Sequence, residues 1–307
     1  MQSIQSRLIN FMLRNRHFFS GKFRKEVYTM ETSIEAFRLL CEKGAERYAK
    51  IPDDVVIKPF DINHMKAEWL IPNGAPAEKA ILYVHGGGYV SGSCNDHRGF
   101  VSKFARQAGV KTLVYEYRLA PEHPYPAAVD DSVEVYSWLM ASGYSPDNIL
   151  IAGESAGGGL SLALLLAIRD KQLPRPVACV AISPWTDLSC SGESYKTKNR
   201  YSLAPLNSWT VFSKHYCGNY PPDFPGISPL FADLHGLPPL FINSGEDDEL
   251  HDDGERFAEK ARASGVDVTF VSGRNMVHCY PLLAPMFPEA TEAMAQIIDF
   301  VKKQLKL

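Results

Sequence analysis

Two hydrophobic periods divide the chain. Up to about residue 50 the apolar positions Ile34, Phe37, Leu40 and Cys41 recur at helical spacing. Past Pro52 the period changes, and VVIKPFD and MKAEWLI predict two strands joined by a turn around residues 62–64. AILYV then runs apolar without a break and stops at His85. From there strand-like runs at 111–117, 148–152, 177–183, 240–243 and 268–271 alternate with helical stretches, among them 101–107, 129–140, 156–169 and 252–263.

Runs that are apolar at every position suit strands buried on both faces of a parallel sheet covered by helices. Two antiparallel strands opening such a sheet predict a mixed α/β core of eight strands, mostly parallel. One stretch breaks the rhythm. Residues 188–225 hold no clean strand and are rich in Ser, Tyr, Asn and Pro. A connection this long inside a compact domain commonly has a function of its own. It is expected to form a cap insertion that joins residues 1–50 over the C-terminal edge of the sheet, where open α/β folds bind ligands.

Composition narrows the class only slightly. The 307 residues, 45% of them hydrophobic, suffice for a large core. A formal net charge of -3 gives no basis for a nucleic-acid partner. The cysteines (Cys41, Cys94, Cys179, Cys190, Cys217, Cys279) are scattered without a C-x-x-C pair, which suits reduced thiols in the cytoplasm. No run reaches the ~18–20 apolar residues of a membrane span, so no stable membrane insertion is expected. The N-terminal LINFMLRNRHFF is apolar and basic, but arginines interrupt it before a secretory core forms and no small-residue cleavage site follows. Ile4, Leu8 and Phe11 share a helical face near Arg14, Arg16, Lys22, Arg24 and Lys25. That face is expected to lie on the protein's own body, with a membrane-surface helix as the alternative.

The chemistry concentrates in LIAGESAGGGL, residues 150–160. Gly153, Glu154, Ser155, Ala156 and Gly157 spell G-x-S-x-G between a strand-like run and a strongly apolar helical run. In that context the motif is a tight turn that lifts a serine hydroxyl out of a sheet, and its glycines let backbone segments approach closely. The helix behind points amides and its positive dipole end at any developing anion. A phosphate-binding loop would need Lys and Ser/Thr after the glycines, and a dinucleotide site would need G-x-G-x-x-G; neither is present.

A serine needs a base. His278, in GRNMVHCY directly after the strand-like DVTFVSG, stands where a base would. The base needs an orienting carboxylate. The run LPPLFINSGEDDELHDDG ends a strand in a cluster of acids: Glu246, Asp247, Asp248, Asp252 and Asp253. Attack on a carbonyl also needs donors for the oxyanion. His85, Gly86, Gly87 and Gly88 follow AILYV as an HGGG loop, whose amides join that of Ala156 as candidate donors. The order serine, acid, histidine is that of the α/β-hydrolases.

With these motifs the chain resembles the hormone-sensitive-lipase-like esterases, the HGGG-bearing branch of the α/β-hydrolases. HGGGYVSGS, YRLAPEHPYPAAVDD, GESAGGGL and SPWTDL occur in family order, over roughly residues 55–307. The resemblance implies an α/β-hydrolase catalytic domain at 51–307, with residues 1–50 as the N-terminal part of a helical cap. It implies Ser155 as nucleophile, His278 as base, and an oxyanion hole at Gly86, Gly87, Gly88 and Ala156. It aligns Asp248 with the triad acid and leaves Asp252 as the alternative, because Glu249 replaces the usual proline after the acid. Glu154 stands where the family commonly has Asp.

The implied activity is hydrolysis of short- to medium-chain carboxylic esters through an acyl-enzyme. The expected partners are a small-molecule ester and a second copy of the chain in a homodimer, and no cofactor or metal is required. A non-catalytic ligand receptor, an amidase and a true lipase are the alternatives. Arg118 and Glu122 are expected to fix a loop beneath the site. Tyr89, Trp185, Tyr195 and Trp209 are candidate pocket walls. Cys279, beside the base, is expected to be a small buried apolar residue, with thiol sensitivity as the alternative.

Overall fold

The computed structural model describes residues 2–19, 23–48 and 50–307. Three helices come first: α1 (Ile4–Arg14), α2 (Arg16–Phe19) and α3 (Ile34–Tyr48). β1 (Val55–Ile62) and β2 (Met65–Pro72) form an antiparallel hairpin that turns at Asn63, whose backbone is left-handed (φ 50°). There follow β3 (Ala80–Val84), α4 (Cys94–Ala108), β4 (Thr112–Tyr115), α5 (Ala127–Ala141), β5 (Ile149–Glu154), α6 (Ala156–Asp170) and β6 (Ala178–Ile182). The chain continues through α7 (Ser194–Thr197), α8 (Ser208–Cys217), β7 (Leu240–Gly245), α9 (His251–Ala263), β8 (Val268–Gly273) and α10 (Pro288–Leu305).

The eight strands make one sheet in the order β1-β2-β4-β3-β5-β6-β7-β8. β2 runs antiparallel to β1 and β4, and the remaining neighbours are parallel. Burial explains the uniform runs of the sequence. Every residue of β3, β4, β5, β6 and β7 is buried, whereas the edge strands β1 and β8 keep exposed positions. Successive side chains point to opposite faces. Leu82 and Val84 join one core with α5, α6 and α9, while Ile81 and Tyr83 join a second with α4 and α10.

Two helices extend the pattern. α4 begins at Cys94, because Ser93 and Asp96 close a reciprocal capping box that the apolar spacing from 101 onward does not reveal. α10 has Pro288 in its first turn and buries Ala290, Met294, Ile297, Val301 and Leu305 along one stripe.

Residues 188–225 carry α7 and α8 and pack against the N-terminal segment. The Leu206 amide donates to the Glu26 carbonyl (2.8 Å), and the Tyr28 amide to the Leu206 carbonyl (2.9 Å). Phe212 on α8 meets Phe37 on α3 at 5.2 Å between ring centroids.

α1 is rotated relative to expectation. Its body-facing side is mixed: Ile9 and Leu13 pack against the cluster of Met276, Tyr280 and Phe287, Ser6 and Asn10 are buried, Ser3 at its N-cap donates to Glu289 on α10, and Asn10 Nδ2 donates to the Asn275 carbonyl (3.2 Å). Ile4, Leu8 and Phe11 consequently face outward, 80%, 57% and 61% exposed. Lys22, the central member of the basic run, lies outside the described residues. Among the described residues no helix is long and apolar enough to cross a membrane. All six cysteines are unpaired.

Candidate active site

Ser155 sits between β5 and α6 with φ 56° and ψ -124°, a conformation that L side chains rarely adopt. The flanking glycines make that turn possible. A Cβ on Gly153 would lie 2.4 Å from the Gly157 carbonyl oxygen, and one on Gly157 would lie 2.2 Å from that of Val84. The strain is held by hydrogen bonds: the Ser155 amide donates to the Ile182 carbonyl at the end of β6 (2.9 Å), and the Trp185 amide donates to the Ser155 carbonyl (3.0 Å).

Asp248 follows β7 and His278 follows β8, so the three candidate residues leave the same C-terminal edge of the sheet. The Ile182 carbonyl lies under both loops, since it accepts from the Ser155 amide and lies 3.9 Å from Cys279 Sγ. His278 Nδ1 lies 2.8 Å from Asp248 Oδ2, and Asp248 Oδ1 accepts from the Leu250 amide (3.0 Å). Asp248 is almost wholly buried. Burial opposes charge on His278, but Asp248 and Cys279, through their charges and hydrogen bonds, together outweigh it and hold the imidazole well above its ordinary pKa. His278 Nε2 rests 3.4 Å from Cys279 Sγ. No hydrogen bond to Ser155 Oγ forms among the described residues. Cys279 is thus a neighbour of the imidazole and not merely packing, and it occupies a left-handed backbone position (φ 52°). Burial raises its thiol pKa against the pull of His278.

The acidic cluster sorts into separate tasks. Asp252, the alternative partner, turns away from His278: its Oδ2 accepts from the Ser194 amide (2.9 Å). Asp253 is buried and accepts from the amides of Thr186 and Asp187 (both 2.8 Å). Asp247 pairs with Arg14 on α1 (2.7 Å), and Glu246 accepts from the Asn275 amide (3.2 Å). Glu249 accepts from Trp209 Nε1 on α8 (2.8 Å) and from Asn199 Nδ2 (3.2 Å). It ties the acid's loop to the 188–225 segment, and burial raises its pKa.

The glycine loop after β3 divides in two. The Gly86 amide donates to Glu154 Oε1 (2.5 Å) and is therefore taken, which removes Gly86 from the predicted oxyanion donors. The amides of Gly87, Gly88 and Ala156 have no acceptor among the described residues. Gly87 and Gly88 both have positive φ (110° and 66°), which turns the loop back over itself so that the Ser91 amide donates to the Gly87 carbonyl (3.0 Å).

The surroundings complete the site. The Trp209 ring meets that of His278 edge-on at 5.7 Å, and Trp185 packs between Trp209 (5.0 Å) and Tyr89 (5.9 Å). Tyr195 instead points its hydroxyl at the Asp187 carbonyl (3.3 Å). Arg118 clamps Asp131, and Glu122 is held by Arg38, so the loop carrying both is fixed as expected. Arg38 itself was not signalled by any motif. From α3 it donates to the Val90 carbonyl (2.6 Å) and the Ala120 carbonyl (2.9 Å), bracing the far side of the glycine loop.

Comparison with known proteins gives the family. Residues 81–282 match the model of a family described as having the alpha/beta hydrolase fold. An acetyl-hydrolase of Streptomyces hygroscopicus is 37% identical over 271 residues, which cover 87% of this chain and 89% of that one. An esterase of Acinetobacter venetianus is 35% identical, covering 80% and 82%. Among solved structures, an esterase from the bacterial hormone-sensitive lipase family superposes with a TM-score of 0.89 at 37% identity over 99% of both chains. The chain belongs to the hormone-sensitive-lipase-like esterases of the α/β-hydrolase fold. This esterase also superposes on EstE5 soaked with p-nitrophenyl butyrate, with a TM-score of 0.91 at 37% identity over the full length of both. It is a carboxylic ester hydrolase.

Proposed function

We propose that this esterase hydrolyses short- to medium-chain carboxylic esters through an acyl-enzyme on Ser155. The observation that carries the reading is the His278–Asp248 contact at 2.8 Å, on the strand edge that also presents Ser155 in a strained turn. A base held by a buried carboxylate, beside a serine lifted from the sheet, is the arrangement acyl transfer needs.

The steps follow from the atoms. Ser155 Oγ attacks the ester carbonyl while His278 Nε2 takes its proton. Asp248 holds the Nδ1–H tautomer and stabilises the imidazolium. The amides of Gly87, Gly88 and Ala156 take the oxyanion. His278 then protonates the leaving alcohol and activates the water that releases the acid. In the present geometry Nε2 contacts Cys279 Sγ. Catalytic hydrogen bonds often tighten only once substrate is bound, and the mechanism requires Nε2 to exchange Cys279 Sγ for Ser155 Oγ at that stage. The described residues before 51, with 188–225, act as a cap over this edge, linked to the triad loop through Arg14–Asp247 and Trp209–Glu249. The names of the similar proteins, an acetyl-hydrolase and EstE5 with its butyrate ester, favour small acyl groups.

The test is Ser155→Ala assayed on p-nitrophenyl acetate and butyrate, with a hydrolysis profile from C2 to C16 on the unaltered protein. The variant is expected to fold and lose hydrolysis, and the profile to peak at short chains. Full activity in the variant removes the nucleophile from Ser155, and a maximum at long chains makes the protein a lipase.

A further inference from the structure

Glu154 lies within the elbow motif, and its side chain is buried in the body of the protein. Its Oε1 accepts from the Gly86 amide (2.5 Å) and lies 3.1 Å from His97 Nε2 on α4. On its other side, His97 Nδ1 meets Asp96 Oδ1, whose carboxylate also accepts from the Ser93 amide in the capping box of α4 (2.8 Å). Glu154 and His97 are both buried. A single chain of charge and hydrogen bonds thus runs from the N-terminus of α4, through an imidazole, to the first glycine of the oxyanion loop.

The charge state of this chain is set by its neighbours. Burial opposes an imidazolium at His97, but hydrogen bonds to Asp96 and Glu154, and their charges, raise its pKa to about 10. His85, whose ring lies 4.9 Å away, is driven the other way, down to about 3, by burial and by the His97 charge. It is neutral and donates Nδ1–H to the Gly86 carbonyl (2.8 Å) while its ring stacks on Tyr117 (4.1 Å). The Tyr83 phenol, buried near Glu154, is pushed well above its ordinary pKa by burial and the Glu154 charge, and stays protonated. Two adjacent histidines therefore carry different charges, and both act on Gly86: one through its carbonyl, the other through Glu154 on its amide.

We propose that Glu154 and His97 are positioning residues for the oxyanion hole: the buried His97–Glu154 ion pair fixes the Gly86 peptide and so aims the amides of Gly87 and Gly88. This rests on the acyl-transfer reading of the site and extends it to residues that never touch the substrate. The Gly86 amide is spent on this anchor, which is why it is not itself a donor to substrate. A loop of three glycines has almost no side chains with which to hold its own shape, so the rigidity must come from a neighbour. A misplacement of about 1 Å at a reacting centre can cost ~10²-fold in rate.

The experiment is steady-state kinetics with p-nitrophenyl butyrate on Glu154→Gln, His97→Gln and the double variant, alongside inhibition by a trifluoromethyl ketone, which mimics the tetrahedral oxyanion. Each single variant is expected to lose ~10–100-fold in kcat with KM changed by less than about threefold, and the ketone's inhibition constant is expected to weaken by the same factor as kcat/KM. The double variant is expected to be no worse than the poorer single one, because both act through one link. Two variants guard against a fold defect in either, and circular dichroism identifies one. Folded variants with kcat within twofold of the parent overturn the proposal, as does a loss confined to KM or ketone binding that stays unchanged. Fluorophosphonate labelling of the unaltered protein separates this from the larger reading. If Ser155 does not label, the acyl-transfer mechanism fails; if it labels while the variants keep full kcat, only the positioning role fails.

Discussion

Replacing Asp248 with Asn leaves the side chain's shape and removes its charge, so it isolates what that charge does for His278. With the charge centres about 4 Å apart and an effective dielectric of ~20, the attraction is ~4 kcal/mol. That attraction favours the imidazolium, and burial of the ring takes part of it back. The net direction is upward, and the pair is well shielded from water, so screening removes little of it. In the proposed mechanism the neutral imidazole is the base. Activity therefore falls as pH drops through the raised folded-state pKa, and the midpoint of the acid limb of kcat/KM lies above the ordinary ~6.5. Asp248→Asn should lower that midpoint, because the charge that favours the imidazolium is gone. It should also cut kcat by ~10³–10⁴, because the amide favours the wrong tautomer. Asp252→Asn should leave both close to the parent, since Asp252 accepts from Ser194 and does not face His278. The assay is the pH dependence of p-nitrophenyl butyrate hydrolysis by the three proteins between pH 5 and 9. An acid limb that does not move in Asp248→Asn, or a larger loss in Asp252→Asn, would refute the assignment of the carboxylate.

Other perturbations probe the frame. Gly157→Ala places a Cβ 2.2 Å from the Val84 carbonyl oxygen and 2.4 Å from that of His85, neither of which can yield without moving β3. It should cost ~1–3 kcal/mol or more and abolish activity, visible as a lower urea midpoint together with lost hydrolysis; a stable, active variant would mean the elbow is looser than described. Leu8→Gln alters an outward-facing side chain and should change stability by less than ~0.5 kcal/mol. A loss near ~2 kcal/mol in the same denaturation experiment would place Leu8 inside a packed interface and reverse the orientation found for α1.

The sheet was legible because its central strands are buried on both faces and so leave uniform apolar runs: AILYV matches β3 residue for residue. The elbow and the glycine loop were legible because their glycines answer to close backbone approach. What periodicity could not show depends on polar contacts between distant segments. α1 follows an amphipathic pattern, yet the side that faces the body holds Ile9 and Leu13 with Ser6, Asn10 and the Ser3–Glu289 bond, and Ile4, Leu8 and Phe11 turn outward. α4 extends earlier than its apolar spacing because a capping box starts it. The acids after β7 are alike in sequence and differ only in what they meet: His278 for Asp248, Ser194 for Asp252, Trp209 for Glu249. Gly86 follows the donor pattern of its motif, but its amide belongs to Glu154, 68 positions away. Arg38 and His97 carry no motif of their own. Their work appears only when the carbonyls and carboxylates they hold are brought beside them.

The central claim is a covalent acyl group on Ser155. Acid-quenching the protein during turnover of p-nitrophenyl butyrate and mapping its peptides by mass spectrometry tests that claim directly. A burst of p-nitrophenol and the mass of one butyryl group on the peptide bearing Ser155 are expected, both absent in Ser155→Ala. A butyryl group on another residue, or turnover in Ser155→Ala at the rate of the unaltered protein, would contradict it.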